Sequence, residues 1–549
     1  MPVQVSALRS AAPAFAEPFL RIPPFPSARV QSLIATANDA STGAELVDIL
    51  RQARVGGTYW AAQPELPSRY ILARSVKAAD SAAVRWPGEP IVLWTEKGPP
   101  LVAQGQRLIV TGECDPWHVL SGAAAFIDDG DDDLRLVAAL LSVDTFGLGT
   151  AGVLAKLELD GQLLVAEAVS SATYANPFTN QPMSARDTIE LCGFWRRLID
   201  SNRGIAGGLG FAFWKRHNIA PLLWNGAGSF SFFGSADEIE SAERVAIWRS
   251  KSPSQSLADL EERGVSLVEV EDGFLRSHGL GADCVPPLSI TADALGAYFD
   301  PSSPSELENL LQNGVFDAGN LERARLLRQV VVASGLSKYG RDERGVDRRV
   351  EARRHILVPG QVEDDRSVQT GGCGLSTNLE LLQRVRKQAP DAYILYKAHP
   401  DVVAGHRKGA IPARICRQYA DEIVGDEPIT SLIAMVDEVH VNTSLAGFEA
   451  LMREKPVTTY GVPFYAGWGL TTDLGPVPER RTAKRDLDEL VAATLLLYPR
   501  YLDPETGLPC PPEVVVARLC EHDGRDAGLV VSARRLQGKI MRSVRSLVS

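Results

Sequence analysis

Short runs of β-branched and apolar residues alternate with helical spacing along most of the chain. Val439-His440-Val441 reads as a strand, and the small polar pair Thr443-Ser444 reads as a turn. Leu445 to Met452 carries a helical pattern, and Lys455-Pro456-Val457-Thr458-Thr459-Tyr460-Gly461 is the next strand with its turn. Strand, turn, helix and strand make a βαβ unit, which aims free backbone N–H groups and the positive end of a helix dipole at the turn. An anion such as a phosphate fits Thr443 and Ser444 there. An ordinary helix N-cap uses the same residue types without any ligand.

The same alternation predicts further α/β blocks. Residues 1–30, rich in Ala and Pro, are expected to form a loose arm. Residues 31–185 carry strand-like runs such as Ile91-Val92-Leu93-Trp94 and Arg107-Leu108-Ile109-Val110. Setting Gly147 against Gly461 pairs Phe146 with Tyr460, Thr145 with Thr459 and Ile127 with Val441. Asp129 and Gly130 then face Thr443 and Ser444, inside the acidic run 128–133. This region reads as a degenerate nucleotide-binding half-domain whose acids would repel a phosphate. The competing reading is two unrelated βαβ units that share a few apolar positions. A calcium loop is disfavoured, because the EF-hand spacing and its bidentate Glu are missing.

Between 186 and 240 many aromatic residues accompany Arg196, Arg197, Lys215 and Arg216. Core packing accounts for most such rings, with an acceptor or membrane surface as the alternative. The next block opens at Val245-Ala246-Ile247-Trp248, and its strand 265–270 runs into Glu271-Asp272-Gly273-Phe274-Leu275-Arg276-Ser277. Two carboxylates at a strand's C-terminal end stand where open α/β sheets place ligands, suited to proton transfer, with Arg276 to steer a carboxylate. A plain turn held by Asp272 is the bland alternative. Leu307 to about Leu336 reads as helical. In the last block His355 to Pro359 is a buried strand, followed by the polar loop Gln361 to Ser367. The strand 393–396 ends in Lys397-Ala398-His399-Pro400-Asp401, two groups able to neutralise a phosphate.

Composition narrows the classes. The 549 residues allow roughly three or four domains, and 45% apolar with 23% charged residues is ordinary for a globular protein. A net charge of −11 argues against general nucleic-acid binding. Seven scattered cysteines without a CxxC pair suit a reducing compartment rather than a disulfide framework or zinc ribbon. The start Met1-Pro2-Val3 lacks a signal-peptide pattern and no run has the length of a membrane span, so a cytoplasmic location is expected.

Glu271-Asp272-Gly273, His399-Pro400 and Thr443-Ser444 occur in that order and resemble the motifs of bacterial transferases that use CMP-linked nonulosonic acids. Longer runs are similar to the KpsC-like retaining β-Kdo transferases of capsule synthesis, where Kdo is 3-deoxy-D-manno-oct-2-ulosonic acid. These are Glu271 to Ser277 with Gly279-Leu280-Gly281-Ala282-Asp283 and Pro286-Pro287-Leu288-Ser289, Gln361-x-x-x-Asp365-x-Ser367, Lys397-x-His399-Pro400-Asp401, Thr443 to Leu451, and Tyr465-Ala466-Gly467-Trp468-Gly469-Leu470. The resemblance covers about 240 to 505. KpsC carries two full modules of this kind, whereas this chain has one complete motif set.

The resemblance implies a GT-B-like pair of Rossmann-type domains, preceded by the additional α/β region. The acceptor-side domain would span 186–350 and the CMP-sugar domain 351–505, with a helical tail at 506–549. Asp365 would be the nucleophile, Gln361 and Ser367 would orient it or the sugar, and Glu271 or Asp272 would move the proton or hold the donor. Arg276 and Ser277 would contact the sugar. Lys397, His399, Pro400, Thr443, Ser444 and Glu449 would line the site of the CMP phosphate. No metal or cofactor is expected beyond CMP-Kdo as donor. The implied partners are a lipid-linked saccharide acceptor and a capsule synthesis or export complex; a sialic-acid transferase and a non-catalytic assembly component are the alternatives.

The C-terminal stretch 533–548 bears Arg534, Arg535, Lys539, Arg542 and Arg545 and no acid, while Leu536, Ile540, Val544 and Leu547 recur at helical spacing. It is expected to hold the protein on the inner face of the membrane, against the alternative of a helix packed on the protein.

Overall fold

The computed structural model describes residues 18–34, 43–95, 102–104, 107–149, 152–170, 172–239, 244–277, 284–338, 340–341, 345–405 and 407–521. The predicted motif stretch 279–283 and the basic tail 533–549 lie outside them. The chain divides into two compact units.

The first unit holds the strands β1 (Tyr70–Ala73), β2 (Ile91–Thr95), β3 (Val102–Gln104), β4 (Arg107–Thr111), β5 (Ala123–Asp128), β6 (Asp144–Leu148) and β7 (Leu154–Lys156), with a small hairpin of β8 (Tyr174–Ala175) and β9 (Pro182–Met183). The sheet order is β3-β4-β2-β1-β5-β6-β7. Its centre is parallel, with the antiparallel β3 and β7 at the edges. Helices start where side chains satisfy the first free N–H groups: Ser75 caps Val76–Arg85 and Asp131 caps Asp132–Leu140. The arm expected to be loose over 1–30 is not so from residue 19 to 25. Phe19, Leu20, Ile22 and Phe25 are buried, and Phe25 meets Trp195 and Trp224 edge-on. The Ala and Pro on either side mask these few bulky residues in the sequence pattern. Gly56, at φ +112°, leaves room for Phe19, whose ring would lie 2.1 Å from a Cβ there.

The second unit contains two sheets. The first is built from β10 (Ile205–Leu209), β11 (Ser231–Phe233), β12 (Arg244–Ile247), β13 (Ser266–Asp272) and β14 (Ser289–Asp293), in the order β11-β10-β12-β13-β14. Pairing is parallel up to β13 and antiparallel to β14. Two helices, Glu306–Asn313 and Ala318–Ala333, stand where one was expected, because Gly314 caps the first. A hairpin of β15 (Leu336–Ser337) and β16 (Gly340–Arg341) follows.

The second sheet comprises β17 (His355–Pro359), β18 (Tyr393–Lys397), β19 (Glu422–Val424), β20 (Glu438–Val441), β21 (Val457–Thr459) and β22 (Thr472–Asp473), in the order β19-β18-β17-β20-β21-β22. Every pairing in it is parallel. Numbered within itself this is the Rossmann order, with its switch point between the first and fourth strands, β17 and β20. Ile356, Val358, Ile394 and Tyr396 pack against Leu381, Leu382 and Val385 of the helix Asn378–Gln388. The chain then returns to the first sheet through β23 (Arg500–Leu502) and β24 (Pro509–Cys510), and the described part ends in the helix Pro512–Glu521. The architecture is α/β with a GT-B-like pair of Rossmann-type sheets in the second unit.

Candidate active site

At the end of β13, Glu271 and Asp272 enter a turn that only glycine permits: a Cβ on Gly273 would sit 2.3 Å from Ser289 Oγ. Asp272 is gripped from both sides. Lys215 Nζ, from the helix Phe213–Leu223, lies 3.0 Å from its Oδ1, and Arg276 Nε donates to Oδ2 at 2.8 Å. Burial alone would raise the Asp272 carboxyl. Lys215, then Arg276 and Lys338, outweigh it and hold the pKa down to about 2. Lys215 itself, 3.3 Å from the centre of the Trp248 ring, is lowered to about 8 by burial. Glu271 goes the other way: burial, helped by Asp272 and Glu269, raises it to about 8 against the opposing charge of Arg366. Neighbouring carboxyls pushed apart in this manner divide into one fixed charge and one proton carrier.

Arg276 was expected to touch substrate, but it is 1% exposed. Its Nε, Nη1 and Nη2 donate to Asp272, to Ser277 Oγ at 2.7 Å and to the Val285 carbonyl at 2.9 Å. Both Arg276 and Ser277 are buried and hold the turn.

In the second sheet the switch point carries the loop after β17. Gln361 clasps Thr443: its Nε2 donates to Thr443 Oγ1 and its Oε1 accepts from Thr443 N–H, each at 2.9 Å. The two N–H and hydroxyl groups expected to meet an anion are thus partly engaged by the chain. Ser444 caps the helix Leu445–Met452, accepting from Ala446 N–H. Asp365 caps the helix Arg366–Gly371, and its Oδ1 accepts from Ser367 N–H at 3.0 Å and Ser367 Oγ at 2.7 Å. Beyond β18, Lys397 Nζ donates to the Gly425 carbonyl at 2.8 Å. His399 Nδ1 accepts from Asp401 N–H at 3.1 Å, so the neutral ring carries its proton on Nε2. Burial, the largest influence, lowers its pKa and favours that neutral form. Pro400 occupies the first position of the short helix Pro400–Val403.

The sheets of this unit meet through Arg366. Its Nη1 bonds Glu269 and lies 3.1 Å from Glu271 Oε1. Asp365 and Glu271 therefore stand on elements joined by one arginine. Sequence reasoning passed over Arg366, Lys338 and Tyr298. The charge of Lys338 acts on Asp272, Tyr298 and His399, and Tyr298 also feels Glu271 and Asp365. Glu449, expected to bind donor, is 6% exposed and accepts from Lys338 N–H at 3.0 Å, so it positions that lysine's backbone. Among the described residues no three His, Cys, Asp or Glu side chains are grouped to hold a metal ion. No described helix is long and apolar enough to cross a membrane.

A family model described as capsule polysaccharide biosynthesis protein matches residues 243–501. A solved structure of Thermosulfurimonas dismutans, KpsC, beta Kdo 2,4 transferase, is 32% identical with a TM-score of 0.51, covering 57% of this chain and 98% of that one. The chain belongs to the capsule polysaccharide biosynthesis family. Two further relatives of this family member agree. Capsule polysaccharide modification protein LipA of Neisseria meningitidis serogroup B is 39% identical over 350 residues, 63% of this chain and 49% of the relative. Lipopolysaccharide-processing protein LpsZ of Rhizobium meliloti is 45% identical over 277 residues, 50% of this chain and 59% of the relative. The chain thus spans about half the length of the curated relatives it matches.

Proposed function

We propose that this family member is a retaining glycosyltransferase. It moves Kdo from CMP-Kdo to a glycolipid or polysaccharide acceptor of capsule synthesis and leaves a β-Kdo linkage. The observation that carries the reading is the juxtaposition of the Asp365-Arg366 loop with Glu271, at 3.1 Å through the arginine. The likeness to a chain named a Kdo transferase supports the choice of sugar.

In the first step the Asp365 carboxylate attacks the anomeric carbon, and the bond to the CMP phosphate breaks with its electron pair leaving on the phosphate. The N–H of His399 Nε2 and the cation of Lys397 receive that charge. In the second step the acceptor hydroxyl oxygen displaces Asp365, and Glu271, which has given up its own proton to solvent once CMP has left, takes the hydroxyl proton. Two displacements at one carbon give retention. Burial, together with the Asp272 charge fixed by Lys215 and Arg276, keeps Glu271 the carboxyl that titrates near neutrality. The phosphate is met by groups of the chain, so the reading calls on no metal. One complete motif set supports one linkage per chain.

Incubating the purified protein with CMP-Kdo or CMP-sialic acid and a Kdo-ended acceptor tests this. Transfer from CMP-Kdo with a β product by NMR is expected. Transfer from CMP-sialic acid alone would replace the donor, and release of CMP from neither would leave a non-catalytic capsule component.

A further inference from the structure

Besides Lys338, three guanidinium or ammonium groups crowd the paired carboxylates, and two of these three are closed to a ligand. Arg276 has all three nitrogens engaged, and Lys215 lies between Asp272 and the Trp248 ring. Arg366 differs. Both of its bonds, to Glu269 and Glu271, leave from Nη1, and Nε and Nη2 have no hydrogen-bond partner among the described residues. Its side chain is 25% exposed, and its guanidinium is 5.0 Å from the centre of the Phe299 ring. The open edge is the one that forms the parallel two-bond fork with a carboxylate or phosphate.

We propose that Arg366 reads the carboxylate of the donor sugar and so selects 2-keto sugar acids over neutral sugars. This rests on the donor reading above. Displacement by Asp365 requires the leaving phosphate to depart from the face opposite to it. The carboxylate is borne by the carbon under attack itself, so the cation next to Asp365 in the chain meets the carboxylate rather than the phosphate. Charge permits it. Glu269 is shared with Arg249, whose Nε donates to it at 2.8 Å. With Glu271 holding its proton, the two arginines exceed the one carboxylate facing them by one charge, and a second anion completes the balance.

Calorimetric titration of the full chain with CMP-Kdo, CMP and free Kdo separates the sources of the anion. Wild type is expected to bind CMP-Kdo more tightly than CMP. Arg366→Gln should lose about 10- to 100-fold of the CMP-Kdo affinity and none of the CMP affinity. Arg366→Lys, which keeps the charge but not the fork, should recover only part of the loss and guards against a folding defect in the glutamine variant. An unchanged preference for CMP-Kdo in Arg366→Gln overturns the proposal, and an equal loss for CMP assigns the arginine to phosphate and overturns it too. A wild type that does not distinguish CMP-Kdo from CMP overturns the donor reading instead.

Discussion

In the first unit β5 runs into Asp128-Asp129-Gly130-Asp131; in the second unit its counterpart β20 runs into Asn442-Thr443-Ser444. Both are the fourth parallel strand of sheets whose parallel strands follow one order, β4-β2-β1-β5-β6 and β19-β18-β17-β20-β21. Both sheets therefore have a switch point, but it is finished differently. In the first unit the chain's own groups saturate it. Asp128 accepts from Gly130 N–H at 2.9 Å and from Arg135, and Asp131 caps the following helix. Asp129, raised by burial, is held by Ser75 and Arg74 from the other side of the switch point. There β1 passes almost directly into its helix at the Ser75 cap, while β17 is followed by the six-residue stretch 360–365 that ends on Asp365. A shared strand order supplies a place for a ligand; loop length and the sign of charge decide whether chemistry is installed there.

The largest contrast should come from the proposed nucleophile. Asp365→Asn keeps a side chain able to cap the helix, so the fold and CMP binding should persist while turnover falls by at least about 10³-fold. Asp129→Asn at the other switch point should leave turnover within about twofold, since the proposed mechanism gives that site no step. Full activity in Asp365→Asn removes its covalent role, and a large loss in Asp129→Asn would return the first unit to the reaction.

Stability should separate the two acidic turns next. Asp272→Asn leaves Lys215 and Arg276 without their counter-charge, and Arg276 is almost wholly buried. Chemical denaturation should report a loss of about 3–5 kcal/mol. Asp128→Asn removes a counter-charge only from Arg135, which is 29% exposed and keeps Asp132 at 2.9 Å, and its amide oxygen can still accept from Gly130 N–H. About 1 kcal/mol is expected there. Similar losses at both sites would mean that the charges of the first unit are as tightly built as those of the second.

How much of this was legible differs by residue. Strand ends could be read directly, because apolar runs stop at Glu271, Lys397 and Thr443 and parallel sheets gather such ends along one edge. The pair of Rossmann-type sheets was expected and is present. Arg276 was misjudged because its spacing from Asp272 shows a pairing but not the burial that closes it to substrate. Arg366 was passed over because its partners, Glu269 and Glu271, are 97 and 95 positions away, and no local pattern encodes a contact between two sheets. Lys338 escaped for the same reason, its backbone being fixed by Glu449 from another element.

The proposed proton carrier offers a pH test. Glu271 is raised from an ordinary 4.5 to about 8. Between those values the folded protein keeps a proton that the unfolded chain has released, so this group makes folding less favourable as pH rises from 4.5 to 8, and the full cost applies above 8. Glu271→Gln should therefore change stability little at pH 4 and stabilise by about 1–3 kcal/mol at pH 9. Melting temperatures across that range are the measurement. A gain largest at low pH would contradict the assignment of the raised group to Glu271.

The smallest effect expected is at the clasp across the second unit's switch point. Gln361→Ala removes both bonds to Thr443 and leaves its N–H and hydroxyl to turn toward other partners. Each neutral bond is worth about 1 kcal/mol net, so a loss of about 1–2 kcal/mol in stability should appear with a three- to tenfold weaker binding of CMP. The counterpart is Ser75→Ala in the first unit, which removes the side-chain cap accepting from Ala78 N–H. That change should cost about 1 kcal/mol of stability and leave CMP binding untouched. Titrating both variants with CMP decides whether the clasp shapes a nucleotide site or only joins two loops. Equal CMP affinity in Gln361→Ala and wild type would reduce Gln361 and Thr443 to a structural pair, as Ser75 and Asp129 are in the other sheet.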